Sequence, residues 1–223
     1  MKEDKVKYFI VILLLIGLNK AQAFDCDNVT DVPESECLVL NEIYVAMGVG
    51  NASLNYVQIK QGWASNTDTA VCDNNYQNKG IYCSAGNVYR LSLYDAYLSG
   101  TIPDSIGDLS QLNYLHLLHN QLSGNIPNSL GNLSNLKDLQ LFQNQLSGGI
   151  PESLGNLNQL TYLDLSENQL SGRIPDSLGN LSRLRNLYLY MNQLSSTIPQ
   201  SLGGLNDLKV LHLSDNQLSG RIP

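Results

Sequence analysis

The side chains in this sequence best suited to chemistry are a few carboxylates, histidines and tyrosines that recur at a regular interval. Asp138 and Asp164, placed on neighbouring strands and offset by two residues, would stand about 8 Å apart. That separation suits inverting glycoside hydrolysis. His116 and His119 suggest a metal. The surroundings argue against both. Two histidines with no third acid or cysteine on the same turn rarely hold zinc. An open sheet has no pocket to exclude water or to raise the pKa of one carboxyl. The sequence therefore predicts no catalytic residue, no metal and no cofactor, and the chain reads as a non-enzyme. Tyrosines beside carboxylates and amides suit binding instead, because flat rings bury much area at low entropic cost.

The element that must position these side chains is a repeat. Ile-Pro recurs at Pro103, Pro127, Pro151, Pro175, Pro199 and Pro223, always 24 residues apart. The frames LKDLQLFQNQLSGGIPESLGNLNQ, LTYLDLSENQLSGRIPDSLGNLSR and LRNLYLYMNQLSSTIPQSLGGLND start at Leu136, Leu160 and Leu184. Each carries Leu-x-x-Leu-x-Leu followed three positions later by asparagine. In Leu139-Gln140-Leu141 the alternation turns both leucines inward and the residue between them outward, which predicts a strand. One coil cannot bury its leucines without the next, so the strands stack into a parallel sheet. Asn120, Asn144, Asn168, Asn192 and Asn216 fall where the chain leaves that sheet and are expected to satisfy backbone groups of adjacent coils. Gly100, Gly124, Gly148, Gly172 and Gly220 permit a tight bend before Ile-Pro. Ser196 breaks that column and predicts a distorted coil, and Ala96 in the asparagine column marks a transition coil. Ser153 to Leu157 and its equivalents read as a short helical turn on the return.

Outward positions of the sheet then form columns. Ser92, His116, Gln140, Asp164, Tyr188 and His212 make one, and Tyr94, Leu118, Phe142, Ser166, Tyr190 and Ser214 a second. Arg90, Tyr114, Asp138, Tyr162, Asn186 and Val210 make a third. From these columns the candidate ligand-binding set is Tyr94, Tyr114, His116, Leu118, Asp138, Gln140, Phe142, Tyr162, Asp164, Tyr188, Tyr190 and His212. Tyrosine is also a good strand former on a half-exposed face. A cluster of exposed aromatics nevertheless favours an interaction surface, with Phe142 and Tyr190 foremost.

The pattern NQLSGxIPxSLGNLSxL resembles the plant-type leucine-rich repeats of receptor-like kinases and polygalacturonase-inhibiting proteins, and the resemblance covers residues 88–223. It implies an α/β solenoid, a right-handed superhelix with a parallel sheet on its concave face and short helical turns on its convex face. It also implies an amino-terminal cap containing a helix near Cys37 to Met47, Trp63 and the pair Cys72 and Cys83. The family's Trp-x-Gly-Val-x-Cys ending is reduced here to the glycine and cysteine of Asn78-Lys79-Gly80-Ile81-Tyr82-Cys83.

Ahead of the repeats, Lys2, Lys5 and Lys7 precede an apolar run from Tyr8 to Leu18 and an Ala21-x-Ala23 ending, the pattern of a secretory signal peptide over 1–23. The run is short for a bilayer span, and no membrane segment is expected within 24–223. Removing that leader takes away Lys2, Lys5, Lys7 and Lys20 against Glu3 and Asp4. What remains is more acidic than the whole chain at −7, which argues against nucleic acid as a partner. Cys26, Cys37, Cys72 and Cys83 fall within 24–87, in a chain routed to an oxidising compartment. Three pairings are possible, and the spacing favours Cys26 with Cys37 and Cys72 with Cys83. Asn28, Asn51, Asn132 and Asn180 open glycosylation sequons, the last two at equivalent places on the return. Residues 88–223 hold about five complete repeats and one truncated repeat, so the chain reads as a fragment. The expected function is extracellular recognition of a protein or cell-wall glycan. Its alternatives are part of a receptor kinase ectodomain, or an inhibitor of a wall-degrading glycosidase.

Overall fold

The computed structural model describes residues 32–47 and 80–222. Cys26, Cys72, Trp63, the leader and the sequons at Asn28 and Asn51 lie outside the described residues. Helix α1 (Glu34–Ala46) starts after Pro33 with Glu34 and Glu36 in its first turn, where carboxylates favour the helix dipole. Burying Cys37, Leu40, Ile43 and Met47 turns one side of α1 into core. Cys37 and Cys83 are both disulfide-bonded. Glu36 is itself buried and accepts a hydrogen bond from Val88 N at 2.7 Å, which pins the helix to the first coil. Desolvation raises the pKa of Glu36, against the lowering effect of that hydrogen bond.

The repeats build two sheets. In the first, β1 (Gly80–Ser84), β2 (Asn87–Ser92), β4 (Tyr114–His116), β6 (Asp138–Gln140), β8 (Tyr162–Asp164), β10 (Asn186–Tyr188) and β12 (Val210–His212) stand side by side. From β2 onward the pairing is parallel. The exception lies in the cap, where β1 pairs antiparallel with β2. The turn between them holds Ala85 and Gly86 at φ 51° and 77°, the left-handed pair of a tight hairpin, and the hairpin covers what would be an open sheet edge.

The second sheet was not anticipated from the repeat. It joins β3 (Ser99–Thr101), β5 (Gln121–Asn125), β7 (Gln145–Gly148), β9 (Gln169–Gly172), β11 (Gln193–Thr197) and β13 (Gln217–Ser219). Residues read as a bend before Ile-Pro are thus strands, held by their neighbours rather than by their own propensity. Within them Gly124 and Gly148 take φ of 76° and 73°, a region that L side chains avoid. Ser196 holds the same conformation at φ 71° and still pairs with Leu218. The predicted distortion is therefore absent, because the adjoining ladders impose the glycine geometry on serine.

Each coil returns through a 3-10 turn, among them Asn128–Asn132, Glu152–Asn156 and Asp176–Asn180. These stack closely, since a Cβ on Gly131 would meet Ser153 O at 2.4 Å. The leucine columns form one continuous core from α1 to the last coils. Between coils the asparagine ladder does what its position predicts. Asn144 Oδ1 accepts from Leu122 N of the preceding coil while Asn144 Nδ2 donates to Leu117 O and Leu141 O, and Asn168 and Asn192 repeat the arrangement. The first coil has Ala96 at the asparagine position; its Leu98 N donates to Asn120 Oδ1 of the next coil at 3.0 Å, and its Ser99 N donates to Met47 O, just after α1, at 2.9 Å.

Candidate functional site

The concave sheet brings the predicted columns into register. Tyr114 stands beside Asp138, Asp138 beside Tyr162 and Tyr162 beside Asn186. One strand position on, His116, Gln140, Asp164, Tyr188 and His212 follow one another. The column of Tyr94, Leu118, Phe142, Ser166 and Tyr190 continues past the strands through backbone hydrogen bonds such as His119 N to Phe142 O and Glu167 N to Tyr190 O. Short strands with one inward leucine give this face its outward side chains, and coil stacking gives it its width.

Two regions of different character result. Toward α1 the side chains contact one another, with Arg90 Nε and His116 Nε2 buried without a hydrogen-bond partner among the described residues. The Arg90 guanidinium stacks 4.3 Å from the centroid of the Tyr114 ring and 5.8 Å from that of Tyr82, within cation–π range. His116 Nδ1 shares a hydrogen bond with Ser92 Oγ at 3.1 Å, and its Nε2 lies 3.3 Å from Asp138 Oδ2. Gln140 donates to both oxygens of Asp138. His119 pairs with Asp95 at 3.0 Å and meets Phe142 edge to face at 4.8 Å. The two histidines therefore turn to different carboxylates and do not converge on a metal position. Among the described residues no group of three His, Cys, Asp or Glu is placed to hold an ion.

Toward the later coils the face is aromatic. The Tyr162 and Tyr188 ring centroids are 5.5 Å apart at 41°, and His212 stacks on Tyr190 at 4.4 Å. Tyr190 donates its hydroxyl to Glu167 Oε1 at 3.1 Å, and Asn186 Nδ2 donates to the Tyr188 hydroxyl. Burial, followed by the charge of Asp164, raises the pKa of Tyr162 far above the ordinary tyrosine range.

One predicted site residue departs from its assignment. Asp164 is not an open contact residue: it is 6% exposed, and its Oδ1 accepts from both the backbone N and the hydroxyl of Ser166. Ser166 is fully buried as well, so this serine covers the acid. Desolvation raises the pKa of Asp164, partly opposed by the Ser166 hydrogen bonds. In register Asp164 stands beside Gln140 and Tyr188, and Asp138 beside Tyr162, so the two acids do not face each other across an open space. Tyr94, Tyr114, His116, Leu118, Asp138, Gln140, Phe142, Tyr162, Tyr188 and Tyr190 are half-buried, and His212 is exposed. The candidate set omitted Arg90, whose column position was visible, and Glu167, one residue outside the columns, whose role appears only through Tyr190.

The family model described as leucine-rich repeat region matches residues 91–220. The chain belongs to the leucine-rich-repeat family. No match is found among curated proteins. The leucine-rich-repeat ectodomain of the receptor kinase SOBIR1 from Arabidopsis thaliana is 30% identical at a TM-score of 0.69, over 86% of this chain and 99% of that one. A plant peptide hormone receptor, RGFR1 in complex with RGF2, is 46% identical at a TM-score of 0.56, over 56% of this chain and only 20% of its own length. A plant ice-binding protein is 31% identical at a TM-score of 0.70, over 85% of this chain and 58% of that one. The leucine-rich-repeat solenoid is thus shared with a receptor-kinase ectodomain and with a peptide hormone receptor solved in complex with RGF2.

Proposed function

We propose that this chain is an extracellular, non-catalytic recognition module that binds a protein or cell-wall glycan along its concave face. The observation that carries the reading is the set of half-buried rings, Tyr114, Phe142, Tyr162, Tyr188 and Tyr190, that successive coils present on one sheet face, with Asp138 in register between Tyr114 and Tyr162. Such rings bind at low entropic cost when they are already held by neighbours, as Glu167 and Asn186 hold Tyr190 and Tyr188. The leader pattern and the four cysteines, for which spacing favours Cys26 with Cys37 and Cys72 with Cys83, support the extracellular setting. Asn132 and Asn180 are exposed at the ends of 3-10 turns on the return side, where glycans would leave the concave face open.

The second reading, part of a receptor ectodomain, is favoured by the match that spans 99% of the SOBIR1 ectodomain. The test replaces Phe142 and Tyr190 together by alanine and compares the secreted proteins on a glycan array and in pull-downs from extracellular fluid. Loss of the wild-type partner, with circular dichroism and melting temperature nearly unchanged, is the expected result. Undiminished binding by the variant would refute the concave-face assignment.

A further inference from the structure

On the assumption that the concave face is the binding face, its two regions specify what kind of group it receives. Near α1 the surface already contains a cation: Arg90 lies against Tyr114 and Tyr82. At the middle coils an equivalent aromatic corner is built without one. Tyr162 and Tyr188 meet at 5.5 Å, with Asp138 beside Tyr162 and Asp164 beside Tyr188 in register. Glu167 stands at the next ring through its bond from Tyr190. Across the three outward columns of these coils, Asp138 to Phe142, Tyr162 to Ser166 and Asn186 to Tyr190, no lysine or arginine occurs. Lys137 and Arg185 come one residue ahead of their strands. The charges raising the pKa of Tyr162 and Asp164 include those of Asp138 and, for Asp164, Glu167, so negative potential gathers where the rings are.

We propose that this corner binds a guanidinium or ammonium group of the partner, which is therefore a basic peptide or a protein segment rich in arginine or lysine. The ring faces supply cation–π attraction and Asp138 and Glu167 supply charge complementarity. Arg90 against Tyr114 is the same contact made within the chain. Asp138 and Glu167 repel an acidic segment and offer a neutral glycan no ion pair, and the overall charge of −7 steers cations toward the surface.

The test uses the intact secreted chain and fluorescein-labelled octa-arginine, with octa-citrulline as its neutral isostere, read by fluorescence polarisation at near-physiological salt. Octa-arginine is expected to bind, and octa-citrulline at least about tenfold more weakly. Tyr162→Leu with Tyr188→Leu keeps the net charge and is expected to weaken octa-arginine binding about tenfold. Asp138→Asn, a smaller change to the fold, is expected to weaken it about fivefold. Asp104→Asn with Asp176→Asn removes two exposed acids from the 3-10 turns and should change binding less than twofold. Equal losses from the Asp104 and Asp176 pair, or no loss from the tyrosine pair and Asp138→Asn, would overturn the proposal. If the Phe142 and Tyr190 variant loses the natural partner while octa-arginine ignores all concave changes, the concave face stands and its preference for cations falls. If neither responds, both fall.

Discussion

Replacing Asn144 by alanine tests the device that ties one coil to the next. The Asn144 amide accepts from Leu122 N at 3.0 Å and donates to Leu117 O and Leu141 O, both at 3.0 Å. The two carbonyls would not be stranded, because Asn120 Nδ2 also donates to Leu117 O and Asn168 Nδ2 to Leu141 O. The Leu122 N–H has no such second partner in the ladder, and both Leu122 and Asn144 are buried. An unpaired buried donor costs about 1–3 kcal/mol. With the weakened carbonyls added, the total is about 2–3 kcal/mol, which lowers the melting temperature by about 4–12 °C in a chain of this size. The measurement is thermal and urea unfolding followed by far-ultraviolet circular dichroism, together with hydrogen exchange at the Leu122 amide. Asn216→Ala is the internal comparison, since Asn216 makes the same bonds in the last coil, where Leu211 is 40% exposed, and should cost less than half as much. A melting temperature within 1–2 °C of wild type, with the Leu122 amide still protected, would refute the ladder argument.

Two further outcomes follow from the structure. Ser196→Gly should raise stability by about 0.5–1 kcal/mol, because serine pays for a left-handed φ of 71° that glycine adopts freely; a urea midpoint that falls would show that the serine side chain contributes more than the strain costs. For Asp164 burial raises the folded pKa, so the folded state holds its proton more tightly than the unfolded chain, and stability drops as pH rises from the ordinary value of about 3.9 through the raised one. Asp164→Asn retains an acceptor for Ser166 and removes the buried charge, so the variant should melt higher than wild type at pH 7, with the gap closing at pH 3; a gap of equal size at both would contradict the assignment.

The repeat was readable because each coil states its geometry in its own residues. Leucines at Leu-x-x-Leu-x-Leu, the asparagine after them and Ile-Pro at a constant 24 residues define strand, turn and return without reference to the rest of the chain. The same constancy places Tyr162, Tyr188 and Tyr190 on one face, because the register of stacked coils follows from equal repeat length. Residues that interact across coils were less visible. The second sheet is made of strands such as Gln145–Gly148, too short to show alternation, and exists because coils stack closely enough for their backbones to pair. Ser196 looked like a defect by residue type and is held in place by its neighbours. Asp164 and Asp138 looked alike in the columns, yet Ser166 covers one and Gln140 and His116 meet the other. Glu36 reaches Val88 across 52 residues, a contact that no local pattern announces. Periodic burial of leucine is written within each coil. Exposure, pairing and protonation on the binding face depend on what lies alongside, and stacking alone supplies those neighbours.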